Sequence, residues 1–124
     1  MSTTVVVADD DQDIRTLVSI AVGKAGLDLV ASVSDGALAL EAILKHHPDL
    51  AILDVSMPEM TGLEVCRAIR ADGSIDDLRI LLLSASVDDA SKSIGLEAGA
   101  DYFLAKPFSP RELASWLSVG KEPR

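Results

Sequence analysis

Two rhythms of apolar residues alternate along the chain. Five short runs are apolar nearly throughout: Thr3–Ala8, Leu29–Val33, Leu50–Leu53, Ile80–Leu83 and Tyr102–Ala105. Runs of this length, rich in Val, Ile and Leu with no polar alternation, predict strands buried on both faces. Between them apolar positions return every three or four residues, which predicts helices. Ile14, Leu17, Val18, Ala21, Val22 and Ala25 make the first, closed by Gly26. Leu40, Ile43 and Leu44 mark the second, opened by Ser34-Asp35-Gly36 and ended by Pro48. The third runs from Leu63 to Ile69 behind Gly62, and the fourth roughly from Val87 to Ala98 with Gly99 as its stop. Ser109-Pro110 opens the fifth, a cap followed by a proline suited to the first turn. Strand and helix alternate five times. The pattern predicts a single α/β domain, a doubly wound five-stranded parallel sheet with helices on both faces and right-handed crossovers.

A parallel sheet points the carboxyl ends of all its strands to one side, and open sheets of this kind do their chemistry there. The residues at those ends are Asp9 and Asp10, then Asp54, Ser84 and Lys106, whereas strand two ends in Ser34 and adds nothing chemical. Asp54 is the hardest to explain by packing, since a lone carboxylate ending a hydrocarbon run is costly to bury. Three carboxylates brought together raise one another's pKa unless a cation sits among them. An all-oxygen set with few carboxylates suits magnesium, with manganese as the alternative. Lys106 is the natural counterion and Ser84 a hydroxyl donor. Carboxylate, divalent cation, ammonium and hydroxyl together neutralise a phosphoryl group moving onto an aspartate oxygen. Singly, the residues have plainer uses: Asp11 or Asp13 as helix caps, Ser84 as a strand-end serine, Lys106 as a solvated lysine.

Composition narrows the classes. A formal net charge of −9 over 124 residues disfavours direct nucleic-acid binding by this domain, because phosphate contacts need a basic patch. Cys66 is the sole cysteine, so an internal disulfide is excluded, and His46-His47 before Pro48 falls at a helix end with little promise as a metal site. No apolar stretch approaches the length of a membrane span, and MSTTVVVADDD lacks the basic start of a signal peptide. The expectation is a cytoplasmic protein with no membrane partner. Residues 1–118 read as the domain and 119–124 as a tail or the start of a linker.

With these residues in place, the chain resembles the receiver domain of two-component response regulators, from about Thr3 to Leu117. VVVADDDQDIR resembles that family's acidic first loop, DVSMPEMTG its phosphorylation motif, and GADYFLAKPF its strand-five segment. The resemblance implies a flavodoxin-like three-layer sandwich of strand order 2-1-3-4-5, as in the single-domain chemotaxis-type regulators. It makes Asp54 the phosphoacceptor, with Asp9, Asp10, Asp54 and the backbone carbonyl of Ser56 as magnesium ligands. Ser84 and Lys106 become the groups that meet the phosphoryl oxygens. Phe103 becomes the switch aromatic that follows Ser84, and Lys106-Pro107 a cis peptide. Thr61 stands where the family commonly has an aspartate, and it still suits a helix cap. Tyr102 is expected on an exposed face, and Ser56 and Ser86 flank the site where the family tunes phosphoryl hydrolysis.

A histidine kinase or histidine phosphotransfer protein is the implied donor, meeting helix one in part through Ile14, Leu17 and Val18. The implied output surface is helix four, strand five and helix five, used for a homodimer or a downstream protein target. Such a protein catalyses its own phosphorylation and dephosphorylation and is not a turnover enzyme in the ordinary sense. The competing reading is a docking or dimerisation module that never takes up phosphate; loss of an acid, the hydroxyl or the lysine would favour it, and none is lost. A flavodoxin-like cofactor binder would want a glycine- or hydroxyl-rich phosphate loop where Asp9-Asp10-Asp11 stands. An aspartyl-phosphate hydrolase would need its nucleophile after strand one.

Overall fold

The computed structural model describes residues 3–73, 75, 77–85 and 88–119. Its elements are β1 (Thr4–Ala8), α1 (Gln12–Lys24), β2 (Asp28–Val33), α2 (Gly36–His46), β3 (Leu50–Asp54), α3 (Gly62–Ala71), β4 (Arg79–Ser84), α4 (Asp89–Ala98), β5 (Tyr102–Ala105) and α5 (Pro110–Val119). All strand pairings are parallel and the order is β2-β1-β3-β4-β5, the expected doubly wound, flavodoxin-like sheet. Because side chains alternate across a strand, the sheet feeds two cores. Val6, Leu53 and Leu82 pack with Ala39, Ile43, Val65, Ile69 and Ala98 of α2, α3 and α4. Val5, Ile52, Leu81 and Leu83 pack with Val18, Ala21, Leu113 and Leu117 of α1 and α5. Helix, sheet and helix form three layers.

The caps follow from local chemistry. Asp11 accepts a hydrogen bond from the Asp13 N–H and starts α1, and Asp35 does the same for Leu38 at α2. Thr61 and Glu64 form a reciprocal capping box on α3, and Ser109 and Glu112 pair in the same sense ahead of α5. α2 ends at His46, two residues before Pro48, and His47 between them caps it in the left-handed conformation (φ 47°). Gly99, at φ 108°, ends α4 in a conformation that costs a side-chain-bearing residue far more. α4 begins at Asp89, capped by Asp88, later than the expected Val87. Ser86, Val87 and the tail 120–124 lie outside the described residues.

Two expectations are corrected. Tyr102 is buried, its ring edge-on to Trp116 of α5 with centroids 4.9 Å apart. Tyr102 and Phe103 are adjacent on β5 and so face opposite sides of the sheet, and both sides are covered. β2 is also less buried than a continuous apolar run implies. It is an edge strand with Asp28 and Ser32 exposed and the residues between them half-buried.

Cys66 of α3 is buried in the first core, and burial pushes its thiol pKa from 9.0 up to about 11. The folded state therefore holds the thiol proton more tightly than the unfolded chain. That contribution is intact below pH 9 and is lost as pH rises from 9 toward 11, on the order of 3 kcal/mol. Urea midpoints measured from pH 8 to 11 should fall more steeply in the parent than in Cys66→Ala, and a thiol reagent at pH 8 should label Cys66 only after unfolding.

Candidate functional site

β3 is buried along its whole length and delivers Asp54 to the carboxyl edge of the sheet. The chain is held there on both sides: the Val55 N–H donates to the Leu83 carbonyl at 3.0 Å, and the Gly62 N–H donates to the Val55 carbonyl at 3.0 Å. Gly62 is glycine for a steric reason. A β-carbon there would overlap the Asp54 carbonyl oxygen and lie 3.2 Å from the Val55 Cα, and backbone atoms cannot rotate away. Gly62→Ala should therefore lower the urea midpoint, costing about 2 kcal/mol or more.

Around Asp54 the other strand ends converge. Asp9 is fully buried: its Oδ1 accepts the Asp11 N–H at 2.9 Å, and its Oδ2 lies 3.0 Å from Lys106 Nζ. Lys106 Nζ is also 3.2 Å from Asp54 Oδ1, so one ammonium serves two carboxylates. The Lys106 N–H donates to the Ser84 carbonyl at 2.9 Å, which fixes the base of the lysine against the end of β4. The peptide bond from Lys106 to Pro107 is cis. Asp9, Asp10 and Asp54 each bring a carboxylate oxygen within 4.8 Å of the others. Asp10, Asp54, Ser56, Ser84 and Lys106 line one cleft of about 330 Å³, with Asp9 buried beside Asp54 and Lys106.

The electrostatics match this crowding. Burial, then the charge of Asp9, pushes the Asp54 carboxyl above the ordinary value, against the opposing pull of Lys106 and a hydrogen bond from the Ser56 N–H. Burial works against the Lys106 ammonium, but the hydrogen bonds and charges of Asp9 and Asp54 outweigh it and raise its pKa. Three acids against one close ammonium leave the cluster short of positive charge. The buried Asp9 Oδ2 accepts no hydrogen bond among the described residues, the ion pair to Lys106 aside. Hard oxygen donors with an uncompensated charge fit a divalent cation.

Every site residue expected at a strand end is in this cleft or against it. Phe103 lies beside it, on an apolar cavity of about 170 Å³ shared with Val55, Leu63, Ser84, Ser91 and Ile94. Ser84 and Val55 therefore wall both spaces. On α1, Val18 is buried, and Ile14 and Leu17 keep part of their surface exposed. Arg15 had no place in the sequence reading, yet its Nη1 donates to the Asp9 carbonyl at 2.7 Å and ties α1 to the acidic loop. A basic residue one turn into a helix that follows three acids is the signal that marks it.

A family model described as the response regulator receiver domain matches residues 5–118. The chain belongs to that family. This receiver domain is 46% identical over 115 residues to the transcriptional regulatory protein GltR of Pseudomonas aeruginosa, covering 93% of the chain and 47% of that protein. It thus spans about half the length of the curated relatives it matches. Among solved structures, the receiver domain of the response regulator NarL from Mycobacterium tuberculosis superposes with a TM-score of 0.90 at 35% identity, covering 99% of this chain and 98% of that one. The chemotaxis response regulator CheY4 of Vibrio cholerae gives 0.88 at 34% identity, over 94% and 97%. No helix among the described residues is long and apolar enough to cross a membrane.

Proposed function

We propose that this receiver domain takes a phosphoryl group from a phosphohistidine, on a histidine kinase or phosphotransfer protein, onto Asp54. The observation that carries the reading is the convergence of Asp54, Ser84 and Lys106 on one cleft beside a charge-deficient acid cluster. In the transfer, the donor's P–N bond breaks as an Asp54 oxygen bonds to phosphorus, and the leaving imidazole keeps the electron pair. Asp9, Asp10, Asp54 and the Ser56 carbonyl would hold magnesium, with manganese as a substitute. A bound divalent cation supplies charge neutralisation between the carboxylates and the incoming phosphoryl oxygens.

The chain's own residues do the rest. Lys106, fixed 3.2 Å from Asp54 Oδ1, stays beside the acceptor and meets the negative charge that arrives. Ser84 donates its hydroxyl to a phosphoryl oxygen. Ser84 also walls the cavity that holds Phe103, so its displacement is felt at the aromatic ring and then along α4, β5 and α5. That surface would meet a second copy or a downstream protein. We take residues 1–118 as the signalling unit, 119–124 as a C-terminal tail or the start of a linker, and the setting as cytoplasmic; the chain matches 47% of the length of its relative GltR.

The test is intact mass after incubation with acetyl phosphate, with magnesium and with EDTA, followed by mapping of the adduct. One magnesium-dependent phosphoryl group on the peptide containing Asp54 supports the reading. Absence of an adduct with small donors and with a panel of phosphorylated kinases would overturn it in favour of a phosphorylation-independent docking module.

A further inference from the structure

α4 packs its buried face through Gly95 and Ala98, while Ile94 and Leu96 on either side of Gly95 are exposed. A glycine in the middle of a helix is unfavourable unless something needs the room. Here something does. A β-carbon built on Gly95 would overlap the tip of the Phe103 ring, at Cζ and Cε1, and would lie 3.3 Å from Leu82 Cδ1. The three atoms nearest to it all belong to side chains, and the overlapping ones are the far end of a ring with the 170 Å³ cavity beside it. The helix can accept a side chain at 95; the ring in its present position cannot.

We propose that Gly95 is the positioning residue for Phe103: α4 omits one side chain so that the ring tip docks into the helix, and the docked ring keys α4 to the Ser84 wall of the acceptor cleft. The seat itself stands on packing alone, whereas its link to the cleft rests on the phosphoacceptor reading above. Ring and cleft share the Ser84 and Val55 wall, so a group bound at Asp54 acts on α4 by way of Phe103 only while the ring is seated.

The experiment uses chain carrying ring-¹³C-labelled phenylalanine, giving one set of ring signals each for Phe103 and Phe108. Gly95→Ala should shift the Phe103 signal and leave that of Phe108 in place; an unmoved Phe103 signal would overturn the proposal. Melting temperatures give a second, independent arm. Gly95→Ala should lower Tm in the parent but raise it in Phe103→Ala, where only alanine's better helix preference remains. A loss of the same size in both backgrounds would show that the ring is irrelevant to the glycine. A third arm adds magnesium and beryllofluoride, a phosphoryl mimic, and follows amide shifts of residues 89–98. Gly95→Ala should reduce those shifts several-fold; shifts equal to the parent's would refute the coupling. No response at Asp54 in the parent would instead indict the phosphoacceptor reading, and the first two arms would still decide the seat.

Discussion

Asp54→Asn should take up no phosphoryl group from acetyl phosphate or from a phosphohistidine donor, and in EDTA it should melt above the parent. The first outcome follows from chemistry, because a carboxamide oxygen is a poor nucleophile and the amide keeps the volume without the charge. The second follows from the surroundings. Asp54 shares a buried corner with Asp9 and one lysine, and its carboxyl is pushed upward by burial and by Asp9. An acid whose folded pKa lies above its unfolded value of 3.8 costs stability once it is ionised. Replacing it relieves that cost at pH 7 by roughly 1–2 kcal/mol, the scale for a buried group short of partners. The sign with pH is fixed: the advantage of the variant is complete well above the folded pKa and disappears as pH falls below 3.8, where both states of the parent are protonated. Thermal melts of both proteins in EDTA from pH 3.5 to 8, beside intact mass, measure both outcomes. A variant that melts lower than the parent at pH 7 would show that the Asp54 charge is already satisfied without a cation.

Lys106→Met should lose both stability and phosphoryl uptake, and magnesium should restore only the first. Methionine keeps much of the stem's volume and drops the ammonium. Asp9, fully buried, and Asp54, nearly so, then face each other with their shared counterion gone. Removing one partner of a buried ion pair costs about 3–5 kcal/mol. A divalent cation between the acids offsets much of that loss, so the melting temperature should climb steeply with added magnesium. Uptake should stay depressed by roughly 10²-fold or more even at saturating magnesium, because a preorganised positive group at the acceptor is missing in the transition state. Uptake that recovers in step with stability would assign Lys106 to holding the site together and nothing more.

Much of the fold and of the site is legible in the sequence. The strands declared themselves as hydrocarbon runs, and a parallel sheet leaves no choice about which ends meet, so Asp9, Asp10, Asp54, Ser84 and Lys106 could be gathered from chain order alone. Capping chemistry placed most helix starts because Asp35, Thr61 and Ser109 satisfy free amides locally. What escaped depended on how one element packs against another. Tyr102 could be assigned to a face opposite Phe103, but that α5 would bring Trp116 over it is a fact of helix placement. The order 2-1-3-4-5 already put β2 at an edge; what the apolar run Leu29–Val33 concealed is how much of that strand stays exposed. Gly95 makes room for Phe103, and that contact has no local signature, because its mark on the helix is an absent side chain.

Arg70 of α3 extends across to the turn between α4 and β5, where its Nε donates to the Gly99 carbonyl at 3.0 Å and its Nη2 to Asp101 Oδ2 at 2.9 Å, and Asp101 in turn accepts the Ile80 N–H. The C-terminal end of α4 is thereby pinned to the body of the sheet. At about 1.5 Å per residue α4 is roughly 15 Å long, so a tilt of about a tenth of a radian around Gly99 carries its Asp89 end about 1.5 Å. Such a lever has its fulcrum at Arg70, and Ser91 and Ile94 on its moving arm line the cavity that holds Phe103.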